Sequence, residues 1–549
     1  MPTFEIKSIS IQKLRKILKK RKGNRSCGID YIDGYSVKLA APLIEDILLH
    51  LVNLTIEKSE YPSLWKVNKV SPQFQKGDKT KGENWRPVTD IVFVSKLAEA
   101  AVFDQVSEHF SKNHLWHPNH HGFRPNHSTA TALAQLYDFW IQKAEDNELS
   151  AALLLDLSAA YDVVDHKILL EKLELYKFSN NSISWFKFYL KNRKQVVTVE
   201  SKLSDPKDVG QQGVPQGSLL GPILFIIFYN DFPDTRGEGA SSILYADDDT
   251  DNVSHSNPDI LQLKIQQEAD KSTSWVRDNK LVCSGSKTKL LIIGTRELRK
   301  SKLISQNKVI RINVDGHEVE ETSSERLLGL MINNTMTWEN HLYGNDENKG
   351  LVSKLSQRAG IIRKLAFVMP REKLTVFAEG IFFSLLNYCL EIFGNVWGLS
   401  TCDETSRNST AFRKEDNQKL QVLVNKVLGS LTGLDKYTSA AVLCSTAGQL
   451  SVHQRTALFT LTSLHKALNR KEPSYTNFYL NSTDAQDVRQ LTNCKRVEYD
   501  LSISRCSFFY RGSRLYNRIP PSMTKITQQY AFKISAKQWV KDNISLQPP

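Results

Sequence analysis

The run SSILYADDDT, residues 241–250, is an apolar segment that stops at three acids, Asp247, Asp248 and Asp249. Neighbouring side chains on a strand point to opposite faces, so adjacent carboxylates converge only where the backbone reverses. A hairpin bending at the acids would present Asp247 and Asp248 together at a sheet edge. Paired carboxylates suit a core badly, because they repel each other and lose hydration there. They suit hard divalent cations, which take oxygen ligands. An arbitrary Asp-Asp pair is more often a solvated acidic turn, so the neighbouring motifs decide between the readings. Another acid, Asp156, closes the unbroken apolar run Ala151–Leu155, the pattern of a fully buried strand. It reads either as a ligand at a strand end or as the N-cap of a helix that starts within Leu157–Tyr161 and runs through Val164, Ile168, Leu169 and Leu173.

Carboxylates from separate backbone segments are what two metal ions roughly 3.5–4 Å apart require to clamp an in-line phosphoryl displacement. One ion would lower the pKa of an attacking 3′-hydroxyl. The other would hold a triphosphate and its pyrophosphate leaving group, with Asp156 bridging both. Tyr161, five residues further on, would lie under the sugar and admit or exclude a 2′-hydroxyl. Two cations belong to the same picture. Val67–Phe74 reads as a strand, Gln75–Asp78 as its turn, and Pro87 biases Arg86 towards extended backbone. Lys76 and Arg86 would then project from one β-ribbon towards a triphosphate. A surface hairpin carrying Lys and Arg is the plain alternative.

The elements that must position these groups follow from periodicity and punctuation. Ile6–Lys22 reads as a basic helix and Ala41–Glu57 as an amphipathic one. Ser95–Phe110 is helical, and Ser128 caps Thr129–Asp146. In Trp185–Val199 aromatics alternate with Lys187, Lys191, Arg193 and Lys194, which suits a nucleic-acid strand or a helix core face equally. Gly213-Val214-Pro215-Gln216-Gly217-Ser218 is a rigid loop in which two glycines allow close approach. Ser218 caps the next helix, LLGPILFIIFYNDF, apolar nearly all round and therefore buried. Lys287–Gly294 and Arg326–Ile332 each read as a strand. Residues 349–470 read as helices separated by a polar loop at 401–417.

The chain has 549 residues, 40% hydrophobic and 24% charged, with a formal net charge of +13. That length implies two to four domains, and the basic balance favours a polyanionic partner such as nucleic acid. The seven cysteines form no CxxC pair and no Cys/His cluster with zinc spacing, which argues for a reducing compartment. No signal-peptide pattern opens the sequence, and the longest apolar run, Ser218–Tyr229, is too short to span a bilayer.

The ordered set NWRPV, HGFRPNHSTA, LLLDLSAAYDVVDH, QQGVPQGSLLGPILF, LYADD, KTKLLIIG and LLGL resembles a reverse transcriptase of the non-LTR, LINE-type retrotransposons, in the jockey-like neighbourhood. The resemblance implies an α+β right-hand polymerase with fingers, palm and thumb, an antiparallel-sheet palm and a helical thumb. It divides the chain into a basic N-terminal extension (1–60), fingers (61–135), palm with primer grip (136–345), thumb (346–470) and a basic, aromatic C-terminal extension (471–549). It implies an RNA-directed DNA polymerase acting on an RNA template, a DNA primer and deoxynucleoside triphosphates, without a membrane, in the nucleus or cytoplasm. Mg²⁺, with Mn²⁺ as a substitute, would be held by Asp156, Asp247, Asp248 and the Leu157 carbonyl. Lys76, Arg86, Tyr161, Gln216, Gly217 and Lys287 would serve the nucleotide, and Leu328-Gly329 the primer grip. Gln75, His120, His121, Ser284 and Tyr516 depart from the family pattern; none is one of the three acids. A silent, RNA-binding relic of a retroelement is the competing expectation. Read as a complete chain, the 27 residues before Gly28 leave no room for an endonuclease, so nicking would have to come in trans.

Overall fold

The apolar run around Ala151 folds as a strand, Leu149–Leu155, hydrogen-bonded on both sides. In the computed structural model it stands third in a sheet ordered Ser241–Tyr245, Asp248–His255, Leu149–Leu155, Lys289–Ile293. Each neighbouring pair is antiparallel. The structure describes residues 2–548 except 24, 76, 201, 347, 398–411, 436, 477–500, 502–503 and 505–506.

Side-chain alternation makes this sheet the wall between two cores. Leu149, Ala151, Leu153 and Leu155 pack on one side with helix Leu220–Phe228. Ala152, Ile243, Leu291 and Ile293 pack on the other with helix Thr129–Glu145 and with the helices from Leu351 onward. A strand covered on both faces has no polar side, hence its continuous apolar sequence. Leu220–Phe228 is apolar all round for the same reason: only Pro222 escapes full burial. Each leucine buried this way contributes about 1.5–3 kcal/mol. The N-cap position of that helix is Leu219, not Ser218, although Ser218 Oγ accepts from the Gly221 N–H at 2.8 Å.

A second sheet carries the basic ribbon. Trp85–Asp90 pairs antiparallel with Val67–Phe74, setting Arg86 opposite Gln73. The other edge of Val67–Phe74 takes Lys194–Val199 in parallel, a partner that local patterning does not reveal.

Several elements differ from the sequence reading. The basic helix is Ile11–Lys20, because Ser10 caps it and Phe4–Ile9 runs extended beneath the body. The next helix starts earlier, at Gly34, where Asp33 accepts from the Ser36 N–H. Trp185, Phe186 and Tyr189 are core residues of helix Asn180–Leu190, which settles their role as packing. Arg326–Ile332 is not one strand but a hairpin, Ser324–Leu327 with Leu330–Asn333, bent at Leu328-Gly329. The polar loop at 401–417 lies outside the described residues as far as 411, and helix Lys414–Thr432 occupies its end. Among the described residues Cys27, Cys283, Cys389 and Cys444 are free thiols.

Helix Gly34–Glu57 packs through Val37, Leu48 and Val52 and leaves Leu39 and Leu43 72% and 89% exposed. This helix and Arg371–Phe393 are long and apolar enough to cross a membrane by length and composition alone.

Candidate active site

The acids sit at a two-residue hairpin loop. Tyr245 pairs with Asp248, leaving Ala246 and Asp247 as the bend, and Ala246 takes a left-handed φ of 60°. Glycine usually fills such a position, so the surroundings must hold the alanine there. Asn119–Gly122 does so. The Asn119 carbonyl accepts from the Leu244 N–H at 2.9 Å, and the His121 N–H donates to the Leu244 carbonyl at 2.7 Å. Gly122 lies so close that a Cβ there would stand 2.4 Å from the Ala246 nitrogen. Arg124 ties this turn together by donating to the His117 and His120 carbonyls, each at 2.7 Å.

Register brings the third acid in. Leu155 pairs with Asp249, so one step further along the strand Asp156 comes beside Asp248. The segment around Ser284 brackets Asp156: the Ser284 N–H donates to its carbonyl at 2.9 Å, and Leu157 bridges to Cys283. The following helix starts only at His166, with Asp165 accepting from the Ile168 N–H at 3.0 Å. Asp156 is therefore not its N-cap.

Asp247 and Asp248 reach solvent, yet protein surrounds them closely enough for desolvation to dominate their titration. The Asp248 carboxyl is pushed up to about 6 by burial first and then by the charges of Asp247 and Asp156. Asp247 is raised by burial, against the pull of its own backbone and of Arg86. Among the described residues no group of three or more His, Cys, Asp or Glu stands assembled as a metal cage. The donors fit a hard cation all the same: they are oxygens only, and burial disfavours the ionised forms of Asp247 and Asp248. Asp249 takes no part. Its side chain turns to the opposite face, 2% exposed, with burial and Asp251 holding its pKa well above the usual range.

Of the other residues named from the sequence, Tyr161 and Arg86 lie near enough to Asp247 for the charges to be felt between them. Tyr161 stacks on Phe225 with centroids 4.6 Å apart, and burial and the Asp247 charge raise its hydroxyl pKa. Arg86 is exposed on its strand and its charge is felt by both Asp247 and Tyr161. Lys76 lies outside the described residues. Lys287 is exposed on the loop that brackets Asp156, its backbone N–H bonded to the Ser284 carbonyl at 3.1 Å. Gly217 has φ 94°, and a Cβ there would stand 2.7 Å from the Thr89 carbonyl, so the loop presses on the basic ribbon. Leu328 and Gly329 bend the hairpin described above with φ 45° and 89°.

The Gln216 loop is strapped to the Tyr161 turn. The Val214 N–H donates to the Tyr161 carbonyl, and the Gly213 N–H to the Val164 carbonyl, each at 2.8 Å. Gln216 Nε2 donates to both Asp162 oxygens, at 3.0 and 2.9 Å. Behind them Asp162, His166, Gln195 and Arg193 help line a cavity of about 290 Å³. Sequence reasoning missed Asp162, Gly122 and Thr288, whose Oγ1 faces the Asp156 N–H at 3.4 Å. Only Gly122 carried a signal, as a glycine inside the motif HGFRP.

Residues 75–332 match the protein family described as reverse transcriptase (RNA-dependent DNA polymerase). The chain is 23% identical over 450 residues to the probable RNA-directed DNA polymerase from transposon BS of Drosophila melanogaster, covering 80% of this chain and 46% of that one. It is 21% identical to the RNA-directed DNA polymerase from mobile element jockey of the same fly, covering 79% and 45%. For the probable polymerase from transposon X-element the figures are 22%, 78% and 44%. The chain thus spans about half the length of these relatives. Apo telomerase from Candida tropicalis, truncated from its C-terminal domain, overlays on 53% of this chain and 59% of its own at 14% identity and a TM-score of 0.34, too slight a likeness to argue from.

Proposed function

From a chain that carries a reverse transcriptase domain at residues 75–332 and is related to the polymerases of non-LTR transposons, we propose an RNA-directed DNA polymerase that copies RNA into DNA by nucleotidyl transfer. The observation that carries this reading is the register that brings Asp156, at the end of a buried strand, beside Asp248 at a hairpin tip. On this reading the two-core sheet region is the palm (136–345), the ribbon region the fingers (61–135) and the helices of 346–470 the thumb, flanked by extensions at 1–60 and 471–549. Asp156, Asp247, Asp248 and the Leu157 carbonyl would hold Mg²⁺, for which Mn²⁺ could substitute. Divalent ions bound there supply charge neutralisation and a lower 3′-hydroxyl pKa.

The protein's own groups would do the rest. Arg86, with Lys76, orients the triphosphate. Tyr161, rigid against Phe225, lies under the sugar and leaves no space for a 2′-hydroxyl. Gln216 and Gly217 line the nucleotide pocket, with Lys287 near it. The primer 3′-oxygen bonds to the α-phosphorus, the α–β phosphoanhydride bond breaks, and pyrophosphate leaves. RNA template and DNA primer would be the macromolecular partners, met in nucleus or cytoplasm, and the net charge of +13 favours both.

Primer extension by purified protein on a homopolymer RNA template with a DNA primer tests this, with Mg²⁺, with Mn²⁺ and beside the Asp247→Ala/Asp248→Ala double variant. Metal-dependent deoxynucleotide incorporation is expected, falling to background in the variant while RNA binding persists. Extension that survives the double substitution would sink the catalytic assignment. Folded wild-type protein that binds RNA and extends nothing would instead be a silent relic.

A further inference from the structure

The hairpin Ser324–Asn333 turns through Leu328 and Gly329, both with positive φ. Such a turn matches the twist of its strands, but a leucine there is strained by its Cβ. One side chain from a distant part of the chain holds it. Tyr388 Oη lies 2.7 Å from the Leu328 carbonyl and 3.1 Å from Thr129 Oγ1. A phenol has one proton. The shorter contact takes it, so Tyr388 donates to the Leu328 carbonyl, with Thr129 Oγ1 as the second oxygen its hydroxyl faces. The ring lies over the turn: a Cβ on Gly329 would stand 3.0 Å from it.

Each partner leads back to the acids. Thr129 opens the helix that follows the Asn119–Gly122 clamp, and Ser128 and Thr131 lock that helix start in a reciprocal capping box. Tyr245, the residue before the acid bend, and Leu328 both pack on the core that contains Cys389 and Leu390, the residues directly after Tyr388. On its own side the chain breaks direction at Tyr388: helix Ser384–Asn387 ends there and Cys389 takes a left-handed φ of 54°. One hydroxyl thus joins the 328–329 turn, the helix beside the acid hairpin, and the joint where the C-terminal helices attach.

We infer that Tyr388 is a positioning residue that fixes the Leu328-Gly329 turn against the acid hairpin, and so places the 3′ end of a DNA primer at the acids. This rests on the polymerase reading. The phenol hydroxyl bonds Leu328 and Thr129 and not the acids, so its loss acts on where the primer terminus sits and not on the chemical step.

The test uses Tyr388→Phe, which keeps the ring and removes only the hydroxyl, with Thr129→Val and the double variant. An RNA template annealed to a DNA primer carrying 2-aminopurine at its 3′ end reports the terminus by fluorescence, with or without extension. Its equilibrium binding is followed by anisotropy, and single-nucleotide extension is measured at varied primer–template and varied deoxynucleotide. For Tyr388→Phe we expect productive primer–template binding to weaken roughly threefold, the loss of one solvent-exposed hydrogen bond. The 2-aminopurine signal should fall with it. KM for deoxynucleotide and kcat at saturating primer–template should stay within about twofold, and the double variant should be no worse than the worse single one. Wild-type extension with an unchanged terminus signal in Tyr388→Phe would overturn the inference and leave the polymerase reading standing. So would a parallel fall of kcat and melting temperature, which marks a merely structural tyrosine. A wild-type protein that extends nothing, yet shows a terminus signal dependent on Tyr388, would overturn the polymerase reading alone.

Discussion

Asp248 and Asp249 are neighbours in sequence and lie on opposite sides of one sheet. The first reaches solvent; the second is buried with both oxygens unbonded. Strand alternation makes this separation readable, because three acids in a row cannot share a face. The positions of Asp156, Asp247 and Asp248 at a strand end and a hairpin tip were legible for the same reason: apolar runs that stop at an acid announce where the backbone leaves the core. Asp162 was not legible. An acid one residue after an aromatic has no periodic signature, and its meaning comes only from Gln216, 54 residues away. With Nε2 held by Asp162, the Gln216 amide cannot flip, and its Oε1 keeps one orientation. Asp162→Ala is expected to raise KM for deoxynucleotide about tenfold, as the loss of charge-assisted hydrogen bonds would, with kcat within about twofold and partial recovery in Asp162→Glu. Steady-state extension across a deoxynucleotide series reads this directly; an unchanged KM would mean that the Asp162–Gln216 pair is incidental to the nucleotide.

At the scale of elements, the long helices and the buried strand follow from period and composition, whereas the turns between them do not. Arg326–Ile332 conceals a reversal because Leu328 stands where glycine or asparagine would have signalled one. The region after Asp156 delays its helix to His166 because the residues between are committed to holding the Gln216 loop and Ser284. The parallel pairing of Lys194–Val199 with Val67–Phe74 joins strands far apart in sequence, which no local pattern encodes. Gly122 is where one element leans on another. Its absent side chain leaves the space that the Ala246 backbone uses. Gly122→Ala must therefore push the acid bend outward, at a cost of about 1–3 kcal/mol for overpacking. Primer extension should drop at least about tenfold while RNA binding and the overall fold persist; wild-type extension from this variant would show that the clamp is slack.

Two cores share one sheet, and burial holds several histidines of the molecule in their neutral form. His453 accepts from the Trp397 N–H through Nε2 at 3.1 Å, with Nδ1 3.0 Å from the Ser545 carbonyl. Only the neutral Nδ1–H form satisfies both, and burial lowers its pKa to about 4. His341 is lowered to about 4 by burial and neighbouring cations, and His121 to about 3 by burial and His127. These groups bind protons more readily unfolded than folded. Their stabilisation is therefore complete above the ordinary histidine range and drains away as pH falls from about 6.5 towards 4, by up to about 1.4 kcal/mol per pH unit for each. Asp249, raised by burial, works in the opposite sense and gains as pH falls. With several histidines against it, the melting temperature should decline from pH 7 to pH 5, and less steeply in His453→Gln. A flat profile would place these imidazoles in water in the native state.

The extended segment Phe4–Ile9 has no partner near it in sequence. The Phe4 N–H donates to the Lys177 carbonyl and the Phe4 carbonyl accepts from the Ser179 N–H, each at 2.8 Å. The Ile6 N–H donates to Ser182 Oγ at 2.9 Å, and the Lys7 N–H to Gln105 Oε1 at 2.9 Å. On the ribosome this segment meets Asn53, Gln105 and His109 first, and its pairing with residues 177–182 must wait while some 170 residues are added. At about 5–20 residues per second that interval lasts on the order of ten seconds or more, far longer than helix or hairpin formation takes. The docking of Phe4 against Lys177–Ser179 therefore completes late, and during that interval Phe4 and Ile6 lack the partners that bury them in the finished fold.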